Sequence, residues 1–254
     1  MPPPEPRGGK KAACGLVSSP VMRGALLRAL MLYALVTPAN LRSVLHAQDT
    51  RSLRDGVRNI TRGIERGEEQ KLRQRLRNVT DRRDASAALE TAALERLTFR
   101  AADAERTYRS LLTNDSPTVR AHASVGLASL FAQSARYGDA VVWFDSAGKH
   151  FAAFGDSAGR SESYLGQSQG LLRTSGVAAS RAALTRAQVF APRSDDWMRV
   201  NLACSALMLR VRAADAVPMP AFHEGRRLAH DVSARAEALC LLAQAGWPGV
   251  TRRR

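Results

Sequence analysis

The sequence predicts an all-α protein, on three observations. Apolar residues recur at helical spacing along most of the chain. No run of about four to eight residues alternates apolar and polar with the β-branched enrichment of a strand. The 254 residues are 45% hydrophobic but only 6% aromatic. The core must therefore be built from Ala, Leu and Val, which suits packed helices better than a β-sandwich.

The elements follow in chain order. Residues 1–21 are rich in Pro and Gly and predict no structure; Met22-Arg23 offers an alternative start. From Arg23 a basic residue is followed by an apolar stretch, Ala29 to Val36, and a small-residue exit at Thr37-Pro38-Ala39. This is the order of a secretory signal, with cleavage expected after Ala39 or Ala47. Eight uninterrupted apolar residues fall well short of the roughly 20 that span a bilayer, so no stable membrane span is expected. Arg28 interrupts the apolar run, which leaves an uncleaved anchor or a buried helix as alternatives.

Residues 48–83 predict a basic amphipathic region, either one kinked helix or a hairpin broken at Gly67. Leu53, Val57, Ile60 and Ile64 make one stripe, resumed by Leu72, Leu76 and Val79. Such a stripe is expected to be an internal seam. Arg51, Arg54, Arg58, Arg62 and Arg66 fall opposite and are expected to be a solvated face. Downstream, Ser116-Pro117 reads as a helix start, a hydroxyl cap followed by a proline whose missing N–H costs nothing. Ser175-Gly176 and Pro192 mark turns. Asp195-Asp196 after Ser194 are expected in a helix first turn, where they suit the dipole.

The chain has 38 basic and 23 acidic residues, net +15. Of the basic residues 34 are Arg, since only Lys10, Lys11, Lys71 and Lys149 are Lys. The excess sits at residues 1–47, at 51–83 and in the tail 252–254, while 84–250 is nearly balanced. That distribution argues against nucleic acid as the partner, and no aromatic platform accompanies the arginines. The three cysteines form no CxxC and no zinc-like cluster. Cys14 lacks the apolar run that precedes a lipidated cysteine. Cys204 and Cys240 stand 36 residues apart. On neighbouring helices about 8–10 Å apart they exceed the roughly 7 Å reach of a disulfide, so buried free thiols are expected.

A repeat occupies residues 84–250. Around Ala140 the chain places Leu127-Ala128, Tyr137, Phe144 and Ala147. The same frame around Ala104 gives Ala92, Ala101, Tyr108 and Leu111. Around Ser180 it gives Ser168, Val177, Leu184 and Ala187, with Pro192 beyond. The pairing of small with large residues resembles the tetratricopeptide repeat of exported bacterial proteins. Linkers such as Phe154-Gly155-Asp156 resemble the longer-period variant in the repeat regions of some bacterial regulators. Gln167 stands where Leu is expected, which leaves that helix open to a one-residue offset. A fourth first helix fits at 195–212, its partner broken by Pro218 and Pro220. A fifth starts at Ala234, with Ala236, Leu239, Leu242 and Ala243 forming a face that lacks a second helix, an end open to self-association. A non-repeat helical bundle is the alternative.

Two stretches match the nucleophile-elbow pattern, at Ser157 and at Ser168, with Asp215 and His230 following in triad order. The elbow needs a strand ending in a strained turn, and both matches fall in or between helical segments. His223 and His230 are seven apart, where a zinc helix needs four. No catalytic, cofactor-binding or metal-binding residue is expected.

The resemblance implies a helical-hairpin solenoid whose concave face holds a protein or peptide. The expected function is a non-catalytic periplasmic or secreted interaction scaffold; the alternative is a sensory or regulatory repeat region of a larger protein. In the repeat frame the groove is read as Arg96, His122, Ser129, Gln133, Glu162, Gln169 and Arg173, with Leu89, Leu97, Val125 and Leu165 as apolar anchors. Arginines at both ends predict a ligand with acidic groups, gripped in bidentate fashion.

Overall fold

A computed structural model describes residues 38–78, 84–215, 217–230, 232 and 234–245. The signal-like segment up to Val36 and the basic tail lie outside these. The chain divides into two units, residues 1–42 and 43–254, and the second holds the helical hairpins. All regular structure among the described residues is helical. The helices are α1 (Pro38–Glu65), α2 (Glu69–Arg77), α3 (Ala85–Leu97), α4 (Ala101–Leu111), α5 (Pro117–Gln133), α6 (Tyr137–Ala153), α7 (Ser157–Thr174), α8 (Gly176–Phe190), α9 (Asp196–Arg212), α10 (Met219–His230) and α11 (Ala234–Ala245).

Residues 51–77 resolve into a hairpin. Gly67 turns between α1 and α2 with φ +74°, a conformation that costs a residue with Cβ far more than glycine. Leu53, Ile60 and Leu72 are buried, with Val57, Ile64 and Leu76 packed beside them. These residues of the stripe form an internal seam, as their spacing predicts; Val79 lies outside the described residues.

From α3 onward each helix packs on the next, and the first helices α3, α5, α7 and α9 also touch in succession. This is a helical-hairpin packing order, compatible with an α-solenoid. The small residues of the repeat frame are the contact points. Ala92 and Ala104, Ala128 and Ala140, and Ser168 and Ser180 are all buried. Ser168 and Ser180 share a hydrogen bond at 3.0 Å, so two hydroxyls replace two methyl groups without leaving polar atoms unpaired. Tyr108, Phe144 and Leu184, four residues after each second small residue, are buried beside them. Gly126 and Gly166 admit the rings of Tyr108 and Phe144. A Cβ on Gly166 would come within 2.3 Å of Phe144.

Turn chemistry repeats as well. Phe99, Ala135 and Ala214 close α3, α5 and α9 in the left-handed conformation, at φ 61°, 58° and 58°. After each, an amide bonds five residues back: Arg100 to Glu95, Arg136 to Phe131 and Asp215 to Arg210. These are Schellman stops. Each first helix begins with a side-chain cap: Asp84, Ser116, Asp156 and Asp195 accept from Ser86, Val119, Gly159 and Met198.

Three expectations are corrected. The prolines do not break the segment after Asp215, because α10 starts at Met219 with Pro218 just before it and Pro220 in its first turn, where no N–H is missed. Asp195 is the cap of α9 rather than a first-turn residue. Cys204 and Cys240 are not free thiols. They form a disulfide with Cα atoms 4.9 Å apart. Helices α9 and α11 approach closely because their contact is lined by small residues: Ala236 and Ala243 are buried on α11, and Gly225 of α10 faces the sulfur of Cys240.

Candidate functional site

The first helices make one continuous face, and the amino-terminal part of that face is covered by α1. Helix α1 carries Leu53 and Val57 into the cluster that includes Leu89, Ala92 and Ala123. Ile60 reaches Ala93 and Leu94. Gly56 lies against Glu90 so closely that a Cβ would meet its carboxylate at 2.5 Å.

Two arginines one turn apart on α1 complete the contact. Arg54 is paired with Asp156, and its Nε lies 3.6 Å from Glu162. Arg58 donates to both oxygens of Asp195, at 3.2 and 3.0 Å. Its guanidinium also covers the ring of Trp197, 4.4 Å from the centroid. Both arginine side chains are largely buried, 8% and 12% exposed. The expectation of a solvated arginine face is therefore corrected at Arg54 and Arg58, while Arg51, Arg62 and Arg66 remain exposed.

The two aspartates serve twice. Asp156 caps α7 through Oδ1 while its Oδ2 takes Arg54. Asp195 caps α9 while holding Arg58. A cation beside a helix N-terminus opposes the macrodipole, and the cap carboxylates remove that conflict. Each carboxylate is thus held by a backbone amide as well as by its arginine.

His122 of α5 lies beneath this contact. It is buried, edge-on to Phe151 with ring centroids 5.2 Å apart, and bonded to the backbone of Thr50. Burial pushes its imidazole down to about 3; Arg54 lowers it, the Thr50 bond opposes the shift, and Arg58 adds to it. Burial likewise raises Glu90 on α3, with Arg75 of α2 opposing.

The seven groove residues thus fall into groups. His122 and Glu162 are in contact with α1. Arg96 is half-buried and bonds Tyr108. Ser129, Gln133, Gln169 and Arg173 lie in the carboxy-terminal halves of α5 and α7. Gln133 and Arg173 are exposed, and Ser129 and Gln169 half-exposed. Gln169 reaches Ser205 of α9 at 3.4 Å, and Arg173 stands over Tyr137 at 5.7 Å. Asp156, Asp195 and Trp197 were not among the expected residues. Their signal was faint: two aspartates 39 apart at the starts of successive first helices.

The elbow-like serines take structural places. Ser157 opens α7, and Ser168 lies in its middle, bonded to Ser180. Among the described residues no group of three or more His, Cys, Asp or Glu is arranged to hold a metal. None of the described helices is long and apolar enough to cross a membrane. No protein-family model, no curated protein and no solved structure matches the chain.

Proposed function

We propose that the chain is an exported, non-catalytic protein-interaction scaffold of tetratricopeptide type, docking partners on the face of its first helices. The observation that carries this reading is the face itself. Four successive first helices contribute to it, and it already receives one helix, α1, along its amino-terminal part. The remaining part presents Ser129, Gln133, Gln169 and Arg173, polar groups able to bond a peptide backbone or carboxylate. Export rests on the signal-like order of residues 22–39 and is supported by the disulfide, which persists in oxidising compartments.

The test of docking is selective loss. With a partner obtained by pull-down, Gln169→Glu plus Arg173→Glu should abolish capture, whereas Arg109→Glu plus Arg186→Glu, on second helices, should leave it unchanged. Equal behaviour of the two pairs contradicts the reading. Export is tested separately with Leu30→Arg plus Leu32→Arg upstream of a periplasmic reporter; unchanged export contradicts the signal.

A further inference from the structure

The α1–α2 hairpin encloses an open cavity of its own, lined by residues of these two helices and their turn rather than by the first-helix face. Its volume is about 450 Å³, a size suited to a small molecule. Asn59, Arg62, Gly63 and Arg66 form one wall. They recur at i, i+3, i+4 and i+7 and so share one face of the helix; Arg66 lies just past the end of α1, its amide still bonded to the carbonyl of Arg62. Arg75 and Glu68 come from the α2 side. Buried Leu72 packs at the base against Gly63, where a Cβ would come within 2.8 Å of it. Leu72 is the one apolar side chain in the lining, so an occupant is recognised there by charge and hydrogen bonds rather than by apolar burial.

The charge of this lining is left uncompensated. Arg62 and Arg66 are exposed, and among the described residues neither has an ion-pair partner. Glutamates stand close in sequence, but Glu68 pairs with Lys71 at 3.7 Å and Glu69 with Arg73 at 2.7 Å. Exposed arginines on the hairpins are treated differently: Arg100, Arg109 and Arg136 each have an acid within one turn, at Asp103, Glu105 and Asp139. Arg75 is held by Glu90 of α3 and keeps further N–H donors for the cavity. Like charges gathered in a concavity focus their field on its interior, and a guanidinium matches phosphate oxygens two at a time. Arg62 and Arg66, with Cβ atoms roughly 5–6 Å apart as for any i, i+4 pair, suit two neighbouring phosphate groups. We infer that this cavity binds a small anion carrying two phosphate groups, either free in solution or as the headgroup of a lipid. Arg62 and Arg66 grip the phosphates, Arg75 and the Asn59 amide add donors, and Glu68 repels an over-large charge at the rim. The site goes beyond the scaffold reading and shares none of its docking residues.

The test uses the full chain and two probes: inorganic pyrophosphate, followed by titration calorimetry, and phosphatidylcholine vesicles with and without cardiolipin, followed by co-sedimentation. Binding of pyrophosphate alone identifies a free anion, and binding of cardiolipin vesicles alone identifies a headgroup; either supports the inference, and binding of neither overturns it. Variants are then read on the probe that binds. Arg62→Gln plus Arg66→Gln should weaken binding by about tenfold or more, through loss of two charge-assisted contacts. Arg51→Gln plus Arg77→Gln removes the same charge from exposed positions outside the cavity and should leave the affinity within about twofold, since exposed charges at a distance are screened. Equal loss with the two pairs would mean attraction to the net charge alone and overturns the inference. Glutamine is nearly as good a helix former as arginine, so both pairs should fold. A second variant gives a gain that misfolding cannot produce. Glu68→Gln removes the carboxylate from the lining and should tighten binding by about twofold or more at low salt; unchanged or weaker binding overturns the inference.

Discussion

His122 shows how a single buried group ties acid stability to the seating of α1. Its imidazole stays neutral down to about pH 3, whereas in an unfolded chain it titrates near 6.5. Between those values the unfolded state holds more protons. The stability carried by neutral His122 is therefore complete above about pH 6.5 and falls as the pH drops toward 3, by up to about 1.4 kcal/mol per pH unit. His122→Leu should flatten the decline in urea-unfolding free energy between about pH 7 and pH 4; an unchanged slope would show that other groups carry it. Close approach gives a second residue-scale expectation. Gly166→Ala should destabilise by about 1–3 kcal/mol, because the Phe144 ring it would strike is itself buried. Gly138→Ala, where a Cβ meets nothing within 4 Å, should stabilise by roughly 0.4–1 kcal/mol. Thermal melts of the two variants should move in opposite directions.

At the scale of the helix, the Schellman stops are the least optimised feature. Ala135 and Phe99 hold left-handed backbone at φ 58° and 61°, and Phe99 is 93% exposed, so no packing compensates the strain. An L-residue there costs about 1–2 kcal/mol relative to glycine. Ala135→Gly should raise the melting temperature by a few degrees, roughly 2–4 °C per kcal/mol for a chain of this size. A fall would mean that the unfolded chain's gain in freedom outweighs the relief. These stops were not legible as turns, since the sequence shows no Gly or Asn at either position. The helix starts were, because Ser116-Pro117 carries its own chemistry. The hairpin contacts were legible for a similar reason: small residues twelve apart, as at Ala128 and Ala140, can only be neighbours when two antiparallel helices close on each other. The one-residue offset left open at Gln167 does not occur at the contact, where Ser168 meets Ser180.

At the scale of the whole chain, what the sequence hid is long-range. Arg54 and Asp156 are 102 residues apart, and Arg58 and Asp195 are 137 apart. No local period connects them, so a paired arginine row reads as a solvated one. The disulfide was hidden by a generic helix spacing, which small residues at the contact of α9 and α11 reduce. It closes a loop of 36 residues, for which loop-closure entropy gives about 4 kcal/mol. Reduction should therefore lower the melting temperature, and the loss should begin in α10 and α11, which the bond ties to α9. Cys204→Ser with Cys240→Ser should reproduce the reduced state. Identical melts with and without reductant would show that packing alone holds these helices.

The central claim is that α1 is seated on the first-helix face through its arginines. A double-mutant cycle on Arg58→Ala and Asp195→Asn, read by urea unfolding of the full chain, tests this most directly. Asn keeps the cap of α9, so the cycle isolates the ion pair from the helix start. Seating predicts a coupling of about 1–3 kcal/mol between the two changes. Strict additivity would place Arg58 in solvent and contradict that seating.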